Sequence, residues 1–315
     1  MVGKVGQPML HGRDFLSMDD LNPEEIRALL DRSADLKRRL HAGESQTILA
    51  GKTLAMIFEK PSLRTRVTFD VGMRQLGGHS INLSPQDIQL GTRESVPDAA
   101  RNLSRWVNGI MARTFAHRTV QELAEYATVP VINGLSDLEH PCQILGDLLT
   151  IQEHARRLDG ARVAWIGDGN NVCHSLLLGA AKFGMHLTAA TPKGYEPASE
   201  IVARARSLAA KSGGSISIGH DPGDAVRGVE FIYTDVWVSM GQETTRAERL
   251  KAFAGFEVDS ALLRAAGAQA KVMHCLPAHR GEEVTDEVLD GPRSLVLDQA
   301  ENRLHAQKGL LAMIL

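Results

Sequence analysis

Short apolar runs alternate with helix-length segments along most of this chain. Strand followed by helix, repeated, is typical of a parallel sheet flanked by helices. An amphipathic segment at 17–40, with Asp and Asn residues ahead of its regularly spaced apolar positions, predicts an opening helix. The strands predicted after it are 53–58, 79–83, 108–114 and 129–133. The helix-length segments between these strands are 63–76, 95–106 and 119–127.

A second series of the same kind follows a long helical segment. Residues 140–158 predict one helix, which ends at the "DG" of 159–160 and which we interpret as a connector. The strands predicted after it are 162–167, 186–192, 215–219, 229–235, 271–277 and 294–299. Residues 298–315 predict a terminal helix. The predicted fold class is therefore α/β, with two domains that each contain a parallel sheet flanked by helices.

Composition adds limits to this picture. The chain has 315 residues, enough for two domains of about 150 residues each. Lys and Arg total 35 against 38 Asp and Glu, so the net charge of −3 gives no electrostatic reason to expect a nucleic acid or a membrane as partner. Three cysteines suggest neither a disulfide framework nor a zinc module. Residues 1–20 contain no apolar stretch of signal-peptide length, and we expect a soluble, cytoplasmic protein.

The segment "FEKPSLRTRVTF" (58–69) carries the first candidate chemistry. The strand is expected to end near Phe58 and the helix to begin around Ser62. The unpaired N–H groups of that first turn, with the dipole of the helix, favour an anion at the carboxyl edge of the sheet. The guanidinium groups of Arg64 and Arg66 and the hydroxyl of Thr65 suit phosphate oxygens. The alternative is an ordinary helix start with two solvated arginines.

Two later strand ends place further polar residues at the same edge. Arg113 ends the strand at 108–114, and His140 and Gln143 begin the connector helix one turn apart. A cation, an imidazole and an amide together could polarise a carbonyl group and stabilise the charge that develops on it. Taken alone, His140 would more often be a helix cap or a packed core residue.

The segment "WIGDGNNVCHSLLLG" (165–179) has the strand, glycine turn and helix of a dinucleotide-binding unit. The third glycine of that motif would fall at Val172, and the next strand ends without an acidic residue, so we expect no nicotinamide cofactor. Asn170 and Asn171 would suit a small carboxylate at the start of the helix, or could simply cap it. We expect Cys173 to be a core residue.

The remaining candidates lie near the ends of the last strands and helix. In "YTDVWVSMGQE" (233–243), Asp235 would sit at the sheet edge, where a carboxylate can bind an ammonium group. In "HCLPAHRG" (274–281), Cys275 could meet an incoming amine, although an isolated buried cysteine is usually inert. Arg303, near the start of the terminal helix, is either an anion ligand or a solvated charge.

The segments "SLRTR", "HPCQ", "DGNN", "SMGQE" and "HCLP", in this order and at these separations, resemble the aspartate/ornithine carbamoyltransferase family, and within it the members that use ornithine. The resemblance covers almost the whole chain. It implies a carbamoyl-phosphate-binding domain over 1–140, a connector helix over 141–158, an ornithine-binding domain over 159–297 and a C-terminal helix over 298–315 that packs back on the first domain. One departure is Leu63, where many members have threonine.

The resemblance also implies roles for individual residues. The ornithine-binding positions are Asn171, Asp235, Ser239 and Met240, and those closest to the chemistry are Arg64, Arg113, His140 and Cys275. The carbamoyl-phosphate-binding positions are Ser62, Leu63, Arg64, Thr65, Gln89, Arg113, His140, Gln143, Cys275, Leu276 and Arg303.

The implied reaction is attack by the neutral δ-amine of ornithine on the carbonyl carbon of carbamoyl phosphate, giving citrulline and phosphate. Electrostatic preorganisation and the proximity of the two substrates would supply the rate, with no metal or organic cofactor. Cys275 and Asp235, or water, would take the proton of the amine. The resemblance further implies a homotrimer or a multiple of trimers, with Gln89 reaching into a neighbour's site. The alternatives are transfer to aspartate, putrescine or an N-acylated ornithine, a dehydrogenase, and a non-catalytic sensor.

Overall fold

A computed structural model describes residues 9–315. The chain forms two compact units, of which the first runs to Leu149 and also includes Asn302–Leu315, and the second is Thr150–Glu301. Residues 1–8, which are part of the 1–20 segment in which we expect no export signal, lie outside the described residues. Between residues 9 and 315, no helix combines the length and the apolar character that a membrane span requires.

The first part of the chain carries one parallel sheet, in the strand order β2-β1-β3-β4. In chain order its elements are α1 (Pro23–His41), β1 (Thr53–Phe58), α2 (Leu63–Gln75), β2 (His79–Leu83), α3 (Pro85–Ile88), α4 (Val96–Trp106), β3 (Gly109–Arg113), α5 (His117–Tyr126), β4 (Val131–Leu135) and α6 (Pro141–Ala155).

The second part carries another parallel sheet, in the order β7-β6-β5-β8-β9. Its elements are β5 (Arg162–Ile166), α7 (Asn171–Lys182), β6 (His186–Ala190), α8 (Ser199–Ser212), β7 (Ser215–Gly219), α9 (Pro222–Ala225), β8 (Phe231–Thr234), α10 (Arg246–Ala252), α11 (Ser260–Ala265), β9 (Lys271–His274), α12 (Asp286–Leu289) and α13 (Val296–Ile314). The predicted α/β class, with two parallel sheets and a C-terminal helix, is confirmed.

Local sequence explains where the helices begin. At α1, the side chain of Asn22 accepts from the N–H of Glu25, whose carboxylate accepts from the N–H of Asn22, so the two residues form a capping box. Each sheet buries apolar strand residues against its helices. Ala55, Ile57 and Ile110 belong to the core of the first unit, and Ala164, Ile232 and Val272 to a core cluster of the second.

One predicted strand is wrong. Residues 294–299 were expected to form a strand, but only a single bridge joins Ser294 to Val272, and the terminal helix already begins at Val296. The run "SLVL" is too short for its hydrophobic pattern to separate a strand from the first turn of a buried helix.

Candidate active-site residues

The start of α2 is built as the sequence predicts. Ser62 has extended backbone angles and its Oγ accepts from the N–H of Thr65 at 3.3 Å, which makes it the N-cap. Residues Leu63 and Arg64 form the first turn, where N–H groups have no partner within a helix. The side chain of Leu63 is 72% exposed, so what this residue offers an anion is its backbone rather than its side chain.

Arg113 stands at the carboxyl end of β3, directly beside Phe58 at the end of β1. Its carbonyl accepts from the N–H of Glu59 at 2.9 Å, which holds the two strand ends together. The side chain is buried. Because parallel strands present their carboxyl ends at one edge, Arg113 and the start of α2 lie at the edge where open α/β sheets bind ligands.

The imidazole of His140 lies among three arginines. Burial, and then the charges of Arg303, Arg113 and Arg64, lower the pKa of His140 well below its ordinary value. Coulombic effects fall with distance, so these three arginines, here called the arginine cluster, are close to one imidazole although they are far apart in the sequence. His140 is therefore neutral at physiological pH, beside a concentration of positive charge suited to a phosphate dianion.

Arg303 connects the start of α2 to the start of α6. Its Nη1 donates to Oε1 of Gln143, and its Nη2 donates to Oγ1 of Thr65 at 3.3 Å. The amide nitrogen of Gln143 in turn donates to Oδ1 of Asp147 at 2.8 Å, which fixes the orientation of the amide. Since Thr65 accepts from Arg303, its hydroxyl proton is left to donate to an anion.

Gly146 allows this close approach between α6 and the beginning of α13. A Cβ atom at Gly146 would lie 3.2–3.3 Å from the backbone N and Cα of Arg303. Arg303 itself is 2% exposed, so it is not the solvated charge of the alternative interpretation.

Gln89 is placed differently from the other residues predicted to bind carbamoyl phosphate. It follows α3 with φ 44°, in the left-handed region, and its side chain is exposed. Its backbone N–H donates to Pro85, and its carbonyl accepts from the hydroxyl of Thr92. The first unit therefore presents Gln89 to solvent rather than in the network of Thr65, Gln143 and Arg303.

In the second unit, Asp235 is the centre of what we call the amine-side cluster, formed with Asn170 and Cys275. Oδ2 of Asp235 accepts from the amide nitrogen of Asn170 at 2.8 Å. Oδ1 accepts from the thiol of Cys275 at 2.9 Å. Asp235 is 6% exposed, and its two oxygens are oriented by partners that follow two other strands, β5 and β9.

The structure shows which of Asn170 and Asn171 caps α7. The side chain of Asn170 caps α7 by accepting from the N–H groups of Val172 and Cys173 at 3.0 and 3.1 Å. Asn171 occupies the first helical position with a partly exposed side chain. Asn170 is therefore the cap of α7.

The loop after β8 holds Ser239 and Met240. The N–H of Ser239 donates to Oε1 of Gln242 at 3.1 Å, and Gly241 has φ 95°, which a side chain would disfavour. Met240 is 47% exposed. The loop is thus locally hydrogen-bonded but carries an apolar side chain in solvent.

A buried His–Glu pair shapes the segment after β9. Nδ1 of His274 accepts from the N–H of Leu276 at 2.8 Å, so its Nε2, at 3.1 Å from Oε1 of Glu283, carries the proton. Glu283 also accepts from the N–H of His279. Leu276 has φ 56°, a conformation that a branched side chain rarely adopts, and such conformations occur most often at functional sites.

Asp235, His274 and Cys275 carry side-chain atoms of the kinds that bind metal ions. One ligand atom each of Asp235, His274 and Cys275 lie within 4.8 Å of one another. The thiol donates to Asp235, and both ring nitrogens of His274 are engaged with Leu276 and Glu283. The atoms of this group are thus already used in hydrogen bonds, and we assign no metal to it.

The other two cysteines differ from Cys275. Burial raises the pKa of the Cys142 thiol to about 12 and that of Cys173 well above its ordinary value. The interpretation of Cys173 as a core residue is confirmed by its complete burial in α7. Cys275 is partly exposed.

Sequence reasoning missed several residues of these sites. Lys60 is buried with its Nζ 4.5 Å from the centre of the Phe115 ring, and burial and then Arg113 lower its pKa. Lys60 lies within the segment 58–69, directly before Pro61, so its place in that segment was a usable sequence signal. No local signal marked Arg249, which forms an ion pair with Asp168.

Fold and sites together define an α/β protein with an arginine-rich anion site in one unit and a carboxylate–thiol cluster in the other. Residues 13–153 match the aspartate/ornithine carbamoyltransferase carbamoyl-P binding domain, and residues 159–314 match the Asp/Orn binding domain of the same family. These matches cover almost all of the chain. It belongs to the aspartate/ornithine carbamoyltransferase family.

Individual relatives agree with this assignment. The ornithine carbamoyltransferase of Anoxybacillus flavithermus is 55% identical over 306 residues, which are 97% of this chain and 98% of that protein. That of Carboxydothermus hydrogenoformans is 56% identical over 304 residues, 96% and 98% of the two chains. Among solved structures, the ornithine carbamoyltransferase from Pyrococcus furiosus superposes with a TM-score of 0.95 at 52% identity and covers 97% of both chains.

Proposed function

We propose that this chain transfers the carbamoyl group of carbamoyl phosphate to the δ-amine of L-ornithine, giving L-citrulline and phosphate. Family membership and the relatives described above support this reaction. The observation that carries it is the pairing, in one chain, of the arginine cluster around neutral His140 with the buried carboxylate of Asp235. The first suits a phosphate ester, and the second suits an ammonium group.

The phosphate is bound at the start of α2. The backbone N–H groups of Leu63 and Arg64 and the hydroxyls of Ser62 and Thr65 face it, because a helix N-terminus attracts an anion. Arg64 supplies a fork of donors to its oxygens. Further contacts come from Arg303 and from Gln89.

The carbonyl group is polarised by Arg113, His140 and Gln143. Because His140 is neutral, it donates a hydrogen bond without adding a fourth positive charge beside the arginine cluster. As the amine attacks, negative charge grows on the carbonyl oxygen and then on the departing phosphate. Donors that are already in place stabilise this charge without having to reorganise.

Ornithine is held by the second unit. Asp235 binds the α-ammonium group, and Asn171, Ser239 and Met240 contact the rest of the substrate. Cys275 and Leu276 lie beside the reacting δ-amine and the carbamoyl group. The δ-amine must lose a proton before or during attack, and the acceptor is either the pair of Cys275 and Asp235 or water.

Ornithine fits these residues better than other amines. Aspartate would need additional cationic residues for its second carboxylate, whereas this site offers Asp235. Putrescine lacks the α-carboxylate and α-amine that Asn171 and Asp235 would bind. Acylation of the α-amine would remove the charge that Asp235 is placed to meet.

Domains, assembly and location complete the proposal. Residues 1–140 bind carbamoyl phosphate, 141–158 connect, 159–297 bind ornithine, and 298–315 pack back on the first domain. The enzyme is a homotrimer or a multiple of trimers, acts in the cytoplasm, where its cysteines stay reduced, and requires no metal or organic cofactor. Its partners are its two small-molecule substrates, not a nucleic acid or a membrane. The direction of flux, towards or away from arginine, depends on kinetics.

Turnover with a panel of amines tests the proposal. The purified protein is incubated with carbamoyl phosphate and, in parallel, with ornithine, aspartate, putrescine and N-acetylornithine, and both phosphate release and the carbamoylated product are followed. We expect citrulline from ornithine and no product from the other amines. Product from another amine would overturn the role given to Asp235, and no product from any amine would indicate a sensor rather than an enzyme.

A further inference from the structure

A buried ion pair lies beside the amine-side cluster without belonging to it. Nη2 of Arg249, on α10, is 2.5 Å from Oδ2 of Asp168, in the loop after β5. Both side chains are 9% exposed. A buried ion pair gives up much of its hydration, so it is weak evidence for stability and is better explained by a requirement for one defined geometry.

Arg249 also fixes the loop that follows β8. Its Nε donates to the carbonyl oxygen of Trp237 at 2.5 Å. Its guanidinium lies over the rings of Tyr195 and Phe253, 4.8 and 5.3 Å from their centres. The side chain is therefore held on its faces by aromatic rings and at its edges by the hydrogen bond to Trp237 and the ion pair with Asp168, which restricts its orientation.

The two residues that Arg249 contacts through its nitrogens, Trp237 and Asp168, lie close in the sequence to the residues proposed to bind ornithine. Trp237 stands two residues after Asp235 and two before Ser239, and Asp168 stands two before Asn170. Asn170 already donates to Asp235, so the Asp168–Arg249 pair is a second link between the same two loops. The indole N–H of Trp165 donates to the carbonyl oxygen of Asp168 at 2.9 Å, which helps to fix the loop after β5.

We propose that Asp168 and Arg249 are positioning residues for ornithine: they touch no reacting atom, but they set the distance between the Asn170–Asn171 segment and the Asp235–Ser239 segment. This inference rests on the proposed function. It predicts that loss of the pair weakens ornithine use selectively and leaves the carbamoyl phosphate site intact. A purely structural role would instead lower stability without separating the two substrates.

Asp168 gives this role a pH signature. Burial raises the pKa of Asp168 to about 6, with the nearby charge of Asp235 acting in the same direction and that of Arg249 acting against both. As the pH falls through about 6, the carboxylate gains a proton and the ion pair is lost. As the pH falls, kcat/KM for ornithine should decrease more steeply in the wild type than in Asp168→Asn. Dividing the wild-type value by the variant value at each pH cancels the titration of ornithine itself.

Steady-state kinetics of four variants test the proposal: Arg249→Gln, Arg249→Lys, Asp168→Asn and the double variant Asp168→Asn/Arg249→Gln. We expect the KM for ornithine to rise about tenfold or more in the single neutral variants, as small displacements at a reacting site do. The affinity for carbamoyl phosphate, measured by calorimetry without ornithine, should change by less than about twofold, because the pair lies outside that site. Arg249→Lys should recover part of the loss, since lysine keeps the charge but not the fork.

The double variant protects the test against misfolding. Each single neutral variant leaves one buried charge without its partner, whereas the double variant leaves none, so its effect should be smaller than the product of the single effects. Arg227→Gln is the matched control, because Arg227 forms an exposed pair with Asp224 in the same unit and should leave both substrates unaffected.

Two results would overturn the inference. The first is an unchanged KM for ornithine in folded variants, and the second is an equal loss for both substrates. A wild-type protein that makes no citrulline would instead remove the proposed function, so the two failures are distinguishable.

Discussion

Asp235 accepts a hydrogen bond from the thiol of Cys275 across 2.9 Å, and the two residues come from segments that follow neighbouring strands, β8 and β9. The bond requires the thiol to carry its proton, and it aims one carboxylate oxygen at the sulfur while Asn170 holds the other. Asp235 is therefore oriented before any substrate binds. Preorganisation of this kind lowers the cost of binding an ammonium group.

Replacing Asp235 with Asn should weaken ornithine binding selectively. The variant keeps the size of the side chain and an acceptor for Cys275, but it removes the acceptor for Asn170 and the charge that we propose meets the α-ammonium group. Since hydrogen bonds to charged groups contribute about 1.5–3 kcal/mol, we expect the KM for ornithine to rise about tenfold to a hundredfold. Calorimetric binding of carbamoyl phosphate serves as the control, and an equal loss there would mean that the variant is simply damaged.

Substitutions of Cys275 should separate two roles of the thiol. If its purpose is to orient Asp235, then Cys275→Ser, which keeps a donor, should retain clearly more activity than Cys275→Ala. If the thiol passes its own proton to Asp235 and the resulting thiolate takes the proton of the amine, both variants should lose kcat to a similar extent, since a serine hydroxyl is a far weaker base than a thiolate. Comparison of kcat for the two variants at one pH decides between these roles.

The sequence predicts the local parts of these sites and misses the long-range ones. Ser62 as a cap follows from its own neighbours, because capping depends on residues within one turn. By contrast, the lowered pKa of His140 depends first on its burial and then on the charges of Arg303, Arg113 and Arg64, which no spacing in the chain reveals. The pair of Asp168 and Arg249 is missed for the same reason.

The one strand that was predicted wrongly shows a limit of the hydrophobic pattern. Strands inside a parallel sheet, such as β1 and β3, are buried on both faces and appear as continuous apolar runs, so they were predicted with nearly the observed bounds. Residues 295–297 also form an apolar run, but they continue into a helix that is buried along much of its length. Periodicity alone cannot separate these two cases.

Arg64 should matter for carbamoyl phosphate far more than a neighbour on the same helix. Arg64→Gln removes a charge next to His140, and we expect kcat/KM for carbamoyl phosphate to fall about a hundredfold or more, since electrostatic contacts to a developing charge are often the largest contribution to catalysis. Arg74→Gln is the matched control, because Arg74 lies in the last turn of α2, 75% exposed and paired with Asp70. Comparable losses in both variants would contradict the assignment of the anion site.

His140 should stay neutral at a pH where an ordinary histidine is protonated. Burial and the arginine cluster lower its pKa, so nuclear magnetic resonance of histidine-labelled protein should show one imidazole, missing in His140→Gln, that does not titrate as the pH falls from 8 to about 5.5. The unfolded chain takes up this proton near its ordinary pKa and the folded chain does not. Stability therefore rises with pH through this range and is lost towards acid, with a slope of up to about 1.4 kcal/mol per pH unit from this residue. An imidazole signal that titrates near 6.5 would contradict the prediction.

Gln89 should complete the site of a neighbouring subunit rather than its own. It is exposed and held in a left-handed conformation at the end of α3, and it takes no part in the hydrogen bonds that join Thr65, Gln143 and Arg303.

Gln89→Ala and Cys275→Ala should each be nearly inactive alone. If Gln89 acts in trans, a trimer that mixes the two variants contains some sites with Gln89 from one chain and Cys275 from the other. In the doubly tagged trimers the activity should then be about one third of the wild-type value, because every trimer that contains both chains has one competent site in three. Co-expression of the two chains with different affinity tags, followed by assay of the doubly tagged fraction, measures this. If hybrids that carry both tags remain inactive, Gln89 serves its own subunit.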